Sequence, residues 1–197
     1  ANVIDCPPTL KDREDTLQRV IDQTGASAMH PYNDMDVIEG NSTATIELLE
    51  DYPDLDAIFA PIGGGGLISG TCLAAKYFSN AKVYGAEPEG ADDAYRSFQK
   101  GEIIPMLNPQ TIADGLRTSL GEIGFEIMKT HLDSIFTVSE SEIISAMKWM
   151  WQKMKIIIEP SSAVPLAALI KNHELFKDRQ VGIIISGGNV DLDNLPF

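Results

Sequence analysis

Short apolar runs alternate along the chain with longer stretches whose apolar residues recur every three or four positions. The first kind predicts buried strands, the second helices that cover them. Residues 1–5 read as a strand stopped by Pro7 and Pro8, and residues 26–29 as another closed by His30 and Pro31. Residues 55–60, 81–86, 134–138 and 181–185 are clearer strands. A helix capped by Thr9 or Asp12 is expected to run to Gln23, with Leu17, Val20 and Ile21 on one face and Gly25 ending it. Further helices are predicted over residues 43–50, with Ala44, Ile46 and Leu49 inward, and over 67–77, 92–100, 122–131 and 161–172, where Pro165 falls near the first turn. Residues 32–41 and 101–115 read as irregular. Ser139 and Glu142 have the spacing of a capping box, opening an amphipathic helix through Ile144, Met147, Trp151 and Met154. The alternation predicts an α/β fold with a doubly wound, mostly parallel sheet flanked by helices. No internal repeat or low-complexity linker interrupts it.

One stretch changes this from a fold to a candidate site. Pro61-Ile62 is followed by Gly63, Gly64, Gly65, Gly66 and Leu67, between a predicted strand and a predicted helix. Glycines let the backbone turn sharply and approach a ligand, and the first N–H groups of a helix have no partner in the helix. Together they suit a phosphate, the alternative being a flexible glycine-rich turn. No Lys-Ser or Lys-Thr follows, so this is not a nucleotide P-loop. Two other strand ends carry unusual chemistry: Glu87-Pro88-Glu89-Gly90 and Ser186-Gly187-Gly188. In parallel α/β sheets ligands sit beyond the carboxyl ends of the strands, which places all three on one side.

The chain has 197 residues, enough for one domain or slightly more, and a formal net charge of −14. That balance argues against nucleic acid or an anionic membrane surface as partner. It leaves a small phosphate possible, because a nest of backbone N–H groups is locally positive. Two cysteines without metal-like spacing and the lack of a long apolar run lead to the expectation of free thiols in a cytoplasmic protein, a bridge being the alternative.

Five segments share order and spacing with one family: Gly63 to Leu67; Ala86-Glu87-Pro88 with Ala91-Asp92-Asp93; Ile112-Ala113-Asp114-Gly115; Ile158-Glu159-Pro160; and Ser186-Gly187-Gly188-Asn189-Val190-Asp191. Along essentially its whole length the chain resembles the serine racemase and serine/threonine dehydratase family, pyridoxal-phosphate enzymes of fold type II, the tryptophan synthase β-like fold. The resemblance implies that residues 1–197 are the C-terminal part of the large, cofactor-binding domain. The small domain and the rest of the large one would lie outside it. It implies that Gly63, Gly64, Gly65, Gly66 and Leu67 hold the phosphate of pyridoxal 5'-phosphate, and that Ser186, followed by Gly187, faces the pyridine nitrogen. Gly115 would let the backbone pass close to the ring, and Glu159 would stand near the pocket. The alternatives are a helix N-cap for Ser186 and a surface carboxylate for Glu159. Glu87, Asp93 and the carbonyl of Ala91 resemble the family's divalent-cation site. Two carboxylates, a carbonyl and waters suit Mg2+, Ca2+ or Mn2+ rather than zinc. The alternative is that Asp92 and Asp93 favour a helix N-terminus.

Departures from the family limit what this segment does alone. The Ser-x-Lys-x-Arg motif of the Schiff-base lysine, the Ser-Gly-Asn-His segment that grips the substrate carboxylate and the opposite-face base are all missing. No catalytic residue is therefore assigned. Lys11, Lys76, Lys82 and Lys171 fall at predicted surface positions, and nothing aims Lys155 at a pocket. Glu39-Gly40-Asn41-Ser42-Thr43 stands where the family has small-Gly-Gln-Gly-Thr, so Ser42 replaces a glycine. The expectation is an intact homodimeric enzyme that dehydrates or racemises small hydroxy-amino acids. The other class is an inactive fragment, split-enzyme subunit or scaffold.

Overall fold

The computed structural model describes residues 2–7 and 10–197, which divide into two units, Ala1–His30 and Pro31–Phe197. In the first unit residues 2–7 have no regular structure and Val3 is 87% exposed, so the strand predicted at residues 1–5 does not form among the described ones. Helix α1 (Leu10–Thr24) ends as expected. Gly25 adopts φ 69° and its N–H donates to the Ile21 carbonyl at 2.8 Å. Asp12 lies within the first turn and is not the cap; Thr9 lies outside the described residues. Residues 26–29 are exposed and irregular, not a strand. Ala26, Ser27 and Ala28 offer no branched side chain to a sheet, and no described strand pairs with them.

The second unit starts with a helix where the sequence predicts a loop. Helix α2 (Met35–Asp51) begins well before residue 43, replacing most of the loop predicted at 32–41. Asp34 starts it, its Oδ1 accepting the N–H groups of Asp36 at 2.9 Å and Val37 at 3.4 Å. The longer helix buries Ile38, Thr45 and Leu49, while Ala44 is exposed. Strand β1 (Ala57–Pro61), helix α3 (Gly66–Phe78), strand β2 (Lys82–Pro88), helices α4 (Asp93–Lys100) and α5 (Glu122–His131), strand β3 (Ser134–Val138), helices α6 (Glu140–Met154) and α7 (Pro160–Lys171) and strand β4 (Val181–Ile183) follow. All strands are parallel, in the order β3-β2-β1-β4. β4 is two residues shorter than predicted, though the Ile184 N–H still donates to the Phe59 carbonyl at 2.9 Å.

The sheet is covered on both faces, as the alternation requires. Side chains of β1 divide between two cores: Ala57 and Phe59 pack with α6 and α7, whereas Ile58 and Ala60 pack with α2, α3 and α5. Phe59 centres an aromatic cluster with Tyr84, Phe136 and Phe176, at ring centroid distances of 5.2, 6.0 and 4.9 Å. On α6 the buried residues are Ile143, Ala146, Met147 and Met150. Of the predicted stripe only Met147 is fully buried, and Met154 is 57% exposed. Trp151 is half-buried and donates its indole N–H to the Ile158 carbonyl at 3.0 Å, while Trp149 is exposed. Both cysteines are free thiols, and burial pushes the Cys72 thiol up to about 12. Among the described residues no helix is long and apolar enough to cross a membrane.

The capping box of α6 is complete. Glu142 N–H donates to Ser139 Oγ at 3.4 Å, and the Glu142 carboxylate accepts the Ser139 N–H at 2.7 Å. Ser139→Ala should lower unfolding free energy by about 1 kcal/mol, read from urea denaturation with an unchanged slope.

Candidate active site

β1 is buried on both faces, and α3 must return over one of them, so the chain has to turn within a few residues. Gly63, Gly64, Gly65 and Gly66 make that turn. Gly65 sits at φ 94°, a left-handed conformation favourable only to glycine. A Cβ on Gly63 would lie 2.9 Å from the Gly115 carbonyl oxygen, and one on Gly64 would overlap the Tyr32 ring, 2.2 Å from its Cγ. The Gly121 N–H fastens the loop from outside, donating to the Gly64 carbonyl at 3.0 Å. No side chain caps α3, so its first N–H groups and the positive end of its dipole stay available.

The loop forms one wall of a cavity of about 280 Å³. Gly63, Gly64, Gly65, Gly66, Leu67, Gly115, Glu159 and Ser186 all line it, so segments separated by over a hundred residues converge there. Gly187 stands behind the wall. Its N–H and carbonyl both bond to Ser162 Oγ at 2.7 Å, and the Glu159 carboxylate occupies the space a Cβ would take. No helix follows Ser186, so it is not an N-cap; its Oγ lies 3.1 Å from Ser162 Oγ. Glu159 lines the cavity rather than lying free at the surface, and its Oε2 accepts the Asn189 N–H at 2.9 Å.

Sequence reasoning missed Tyr32, Asn41, Thr118 and Ser161, which also line the cavity. Ser161 Oγ accepts the Gly115 N–H at 3.2 Å, holding that loop against the site. Thr118 Oγ1 is buried without a hydrogen-bond partner, an open polar group on the cavity wall. Asn41 lies in a segment already marked by its departure from the family pattern, and Ser161 follows the Glu159-Pro160 motif directly. Tyr32 and Thr118 carry no comparable signal.

At the end of β2 stand two buried acids. Glu87 is wholly buried and accepts N–H groups from Ala94 at 3.1 Å and Tyr95 at 2.7 Å. Burial, reinforced by the neighbouring Asp93 charge, raises its carboxyl well above the usual range. Burial likewise pushes Asp93 up to about 6, opposed by the Leu120 N–H on its Oδ2 at 3.2 Å. Asp93 Oδ1 is buried with no partner, and Ala91 is fully buried alongside in sequence. Among the described residues no three His, Cys, Asp or Glu side chains gather as a metal site, so the predicted set has only these two acidic side chains.

The family profile described as pyridoxal-phosphate dependent enzyme matches residues 1–187. The chain belongs to the pyridoxal-phosphate dependent enzymes. It is 49% identical over 196 residues to β-hydroxyaspartate dehydratase of Paracoccus denitrificans and 50% identical over 202 residues to serine racemase of Dictyostelium discoideum. Each match takes in 99% of this chain and 62% of the relative, so the chain spans about three fifths of their length. The crystal structure of the Dictyostelium racemase superposes with TM-score 0.91 over 98% of this chain and 62% of that one, at 50% identity. The crystal structure of a T.th. threonine deaminase gives TM-score 0.92 at 40% identity, over 98% of this chain and 64% of that one. The fold of this family member is therefore that of fold type II, as expected. Among the described residues no lysine lines the cavity, and Lys76, Lys82, Lys155 and Lys171 are exposed. The side chain of Lys11 lies outside the described residues.

The raised acids fix the sign of a pH effect. With divalent cations removed, the folded protein keeps the Asp93 proton up to about pH 6, while the unfolded chain releases it near 3.8. The folded state binds more protons in between, so stability should fall as pH rises from about 4 to 6 and change little from this group above that. Urea unfolding in chelator across this window should show the decline, and Asp93→Asn should reduce it to the part that Glu87, raised by the same burial, contributes.

Proposed function

We propose that this chain is the cofactor-gripping part of a pyridoxal-phosphate enzyme that eliminates water from, or racemises, small hydroxy-amino acids such as serine, threonine or 3-hydroxyaspartate. One observation carries the reading: the glycine loop, Gly115 and Ser186 line a single cavity at the carboxyl ends of the strands. The residues fit the cofactor. A phosphate suits the uncapped N-terminus of α3, where the glycines leave its N–H groups accessible. Ser186 supplies a neutral hydroxyl for a ring nitrogen, and Gly115 leaves room beside the ring. Bound there, pyridoxal phosphate supplies an electron sink for the α-carbon of an amino acid. Thr118 and Ser161 offer hydroxyls to the polar groups of cofactor or substrate. Among the described residues the cavity wall has one acidic and no basic side chain, so substrate carboxylates and the covalent anchor call on groups beyond them.

Glu87, Asp93 and the Ala91 carbonyl would hold a magnesium-type cation. The unpartnered Asp93 Oδ1 and the mutual repulsion of two buried acids both favour one. The cation would let both acids ionise without their burial penalty and would brace the start of α4 against β2. A second reading, a catalytically inactive subunit, draws on the lack of a lysine among the cavity-lining residues.

The full-length protein should bind pyridoxal phosphate and release ammonia and a 2-oxo acid from L-serine or 3-hydroxyaspartate. Gly63→Ala, whose Cβ would press on the Gly115 carbonyl, should weaken cofactor binding about tenfold or more in a fluorescence titration. A full-length protein that binds no cofactor would overturn the reading, and one that binds it without turnover would favour the second. Separately, Mg2+ should raise the melting temperature above pH 6 in the wild type and not in Asp93→Asn.

A further inference from the structure

Ser162, on the first turn of α7, is 1% exposed and does not line the cavity. Its hydroxyl nevertheless has three partners. Oγ accepts the Gly187 N–H at 2.7 Å, donates to the Gly187 carbonyl at 2.7 Å, and lies 3.1 Å from Ser186 Oγ. A serine hydroxyl has one proton and two lone pairs. Its proton goes to the Gly187 carbonyl, the closer acceptor, and the Gly187 N–H takes one lone pair. What remains toward Ser186 is a lone pair. Ser186 can therefore donate inward to Ser162 and present its own lone pairs to the cavity, or turn its proton outward.

We infer that Ser162 is a positioning residue that decides which way Ser186 directs its proton, and so sets the protonation of the ring nitrogen it faces. The inference rests on the reading that pyridoxal phosphate occupies the cavity. With an unprotonated nitrogen, Ser186 donates outward. When the nitrogen takes a proton from solvent, Ser186 rotates, accepts that N–H and donates its own proton to Ser162. No proton passes between protein and ring. Without Ser162 the second arrangement leaves the Ser186 proton with no inward acceptor, so the protonated ring loses support. A protonated nitrogen makes the ring a stronger electron sink, which ties a buried side chain outside the cavity to the chemistry within it.

The test uses the full-length holoenzyme loaded with pyridoxal phosphate labelled with 15N in the ring, followed by NMR from pH 5 to 9. Ser162→Ala should lower the pH at which the nitrogen loses its proton by about one unit, a tenfold change in that equilibrium. Ser162→Thr, which keeps the hydroxyl, should titrate as wild type. In a Ser186→Ala background, Ser162→Ala should add no further shift. In cofactor-free protein, Gly187 amide exchange should quicken in Ser162→Ala alone. A Ser162→Ala nitrogen that titrates as wild type, or a shift that persists without Ser186, would reduce Ser162 to a loop support and overturn the inference. A wild-type nitrogen unprotonated even at pH 5 would overturn it too. If Ser162→Thr does not fold, the Ser186→Ala comparison still decides. Failure of wild type to hold the cofactor would instead remove the proposed function, and this inference with it.

Discussion

Parallel pairing of β1 with β2 on one side and β4 on the other is the constraint from which the site follows. Pro61 pairs with Ala86 and Phe59 with Ile183, so the chain leaves all three strands at the same end. The next hydrogen bonds, Ile62 N–H to the Ala86 carbonyl and Ile184 N–H to the Phe59 carbonyl, extend that order to the edge of the cavity. A slip of one residue would turn Phe59 out of its aromatic cluster and send Ile58 into it, with every neighbour reversed. Core packing thus holds the register, and the register sets where the glycine loop, Glu87 and Ser186 emerge.

Two-sided burial also explains the chemical character of each strand end. β1 gives way to glycines because Gly115, Leu116 and Tyr32 crowd the turn and α3 must start at once. What the loop can then offer is backbone N–H groups, a weakly positive surface on a protein of net charge −14. β2 instead carries Glu87 next to its last residue, and the Glu87 oxygens receive N–H groups from the first turn of α4. One sheet edge therefore carries electron-poor amides at one strand and electron-rich carboxylates at its neighbour. The acids are hydrogen-bonded to amides and still unfavourably buried, since one Asp93 oxygen is unpartnered. That is strain in the electrostatic sense, and a proton relieves it at low pH.

The sequence made the strands, the glycine turn and the capping box legible because each has a short-range cause: an apolar run, a residue type or a fixed spacing. Residues 122–131 and 134–138 have the same bounds in pattern and structure. It misled where the cause was tertiary. Asp34 and Asp36 look like loop residues, yet one caps α2 and the other occupies its first turn. Residues 2–5 include Val3 and Ile4 and have strand-like composition, but strands need partners, and none is present among the described residues. In the site, the glycines, Gly115, Glu159 and Ser186 stand out through motif spacing. Tyr32 and Thr118 do not, because lining a cavity depends on where a loop is folded back, which spacing does not encode.

The far wall of the cavity owes its shape to the first turn of α7. Pro160 presets the backbone for a helix start, and Ser161 and Ser162 then face two different loops. Ser161 holds Gly115 through its N–H, and Ser162 holds Gly187 through both its N–H and its carbonyl. Both serines are almost fully buried, so replacing either leaves amide groups without partners in a dry setting. Glu159 completes the arrangement from just ahead of the helix, its N–H donating to the Gly187 carbonyl at 3.2 Å and its carboxylate accepting from Asn189. Every group that orients Ser186 is thus neutral or turned to a backbone amide. A carboxylate in place of Ser186 would bring a second negative charge beside Glu159 in a cavity whose wall has no basic side chain among the described residues. A hydroxyl is the polar partner this electrostatic setting tolerates.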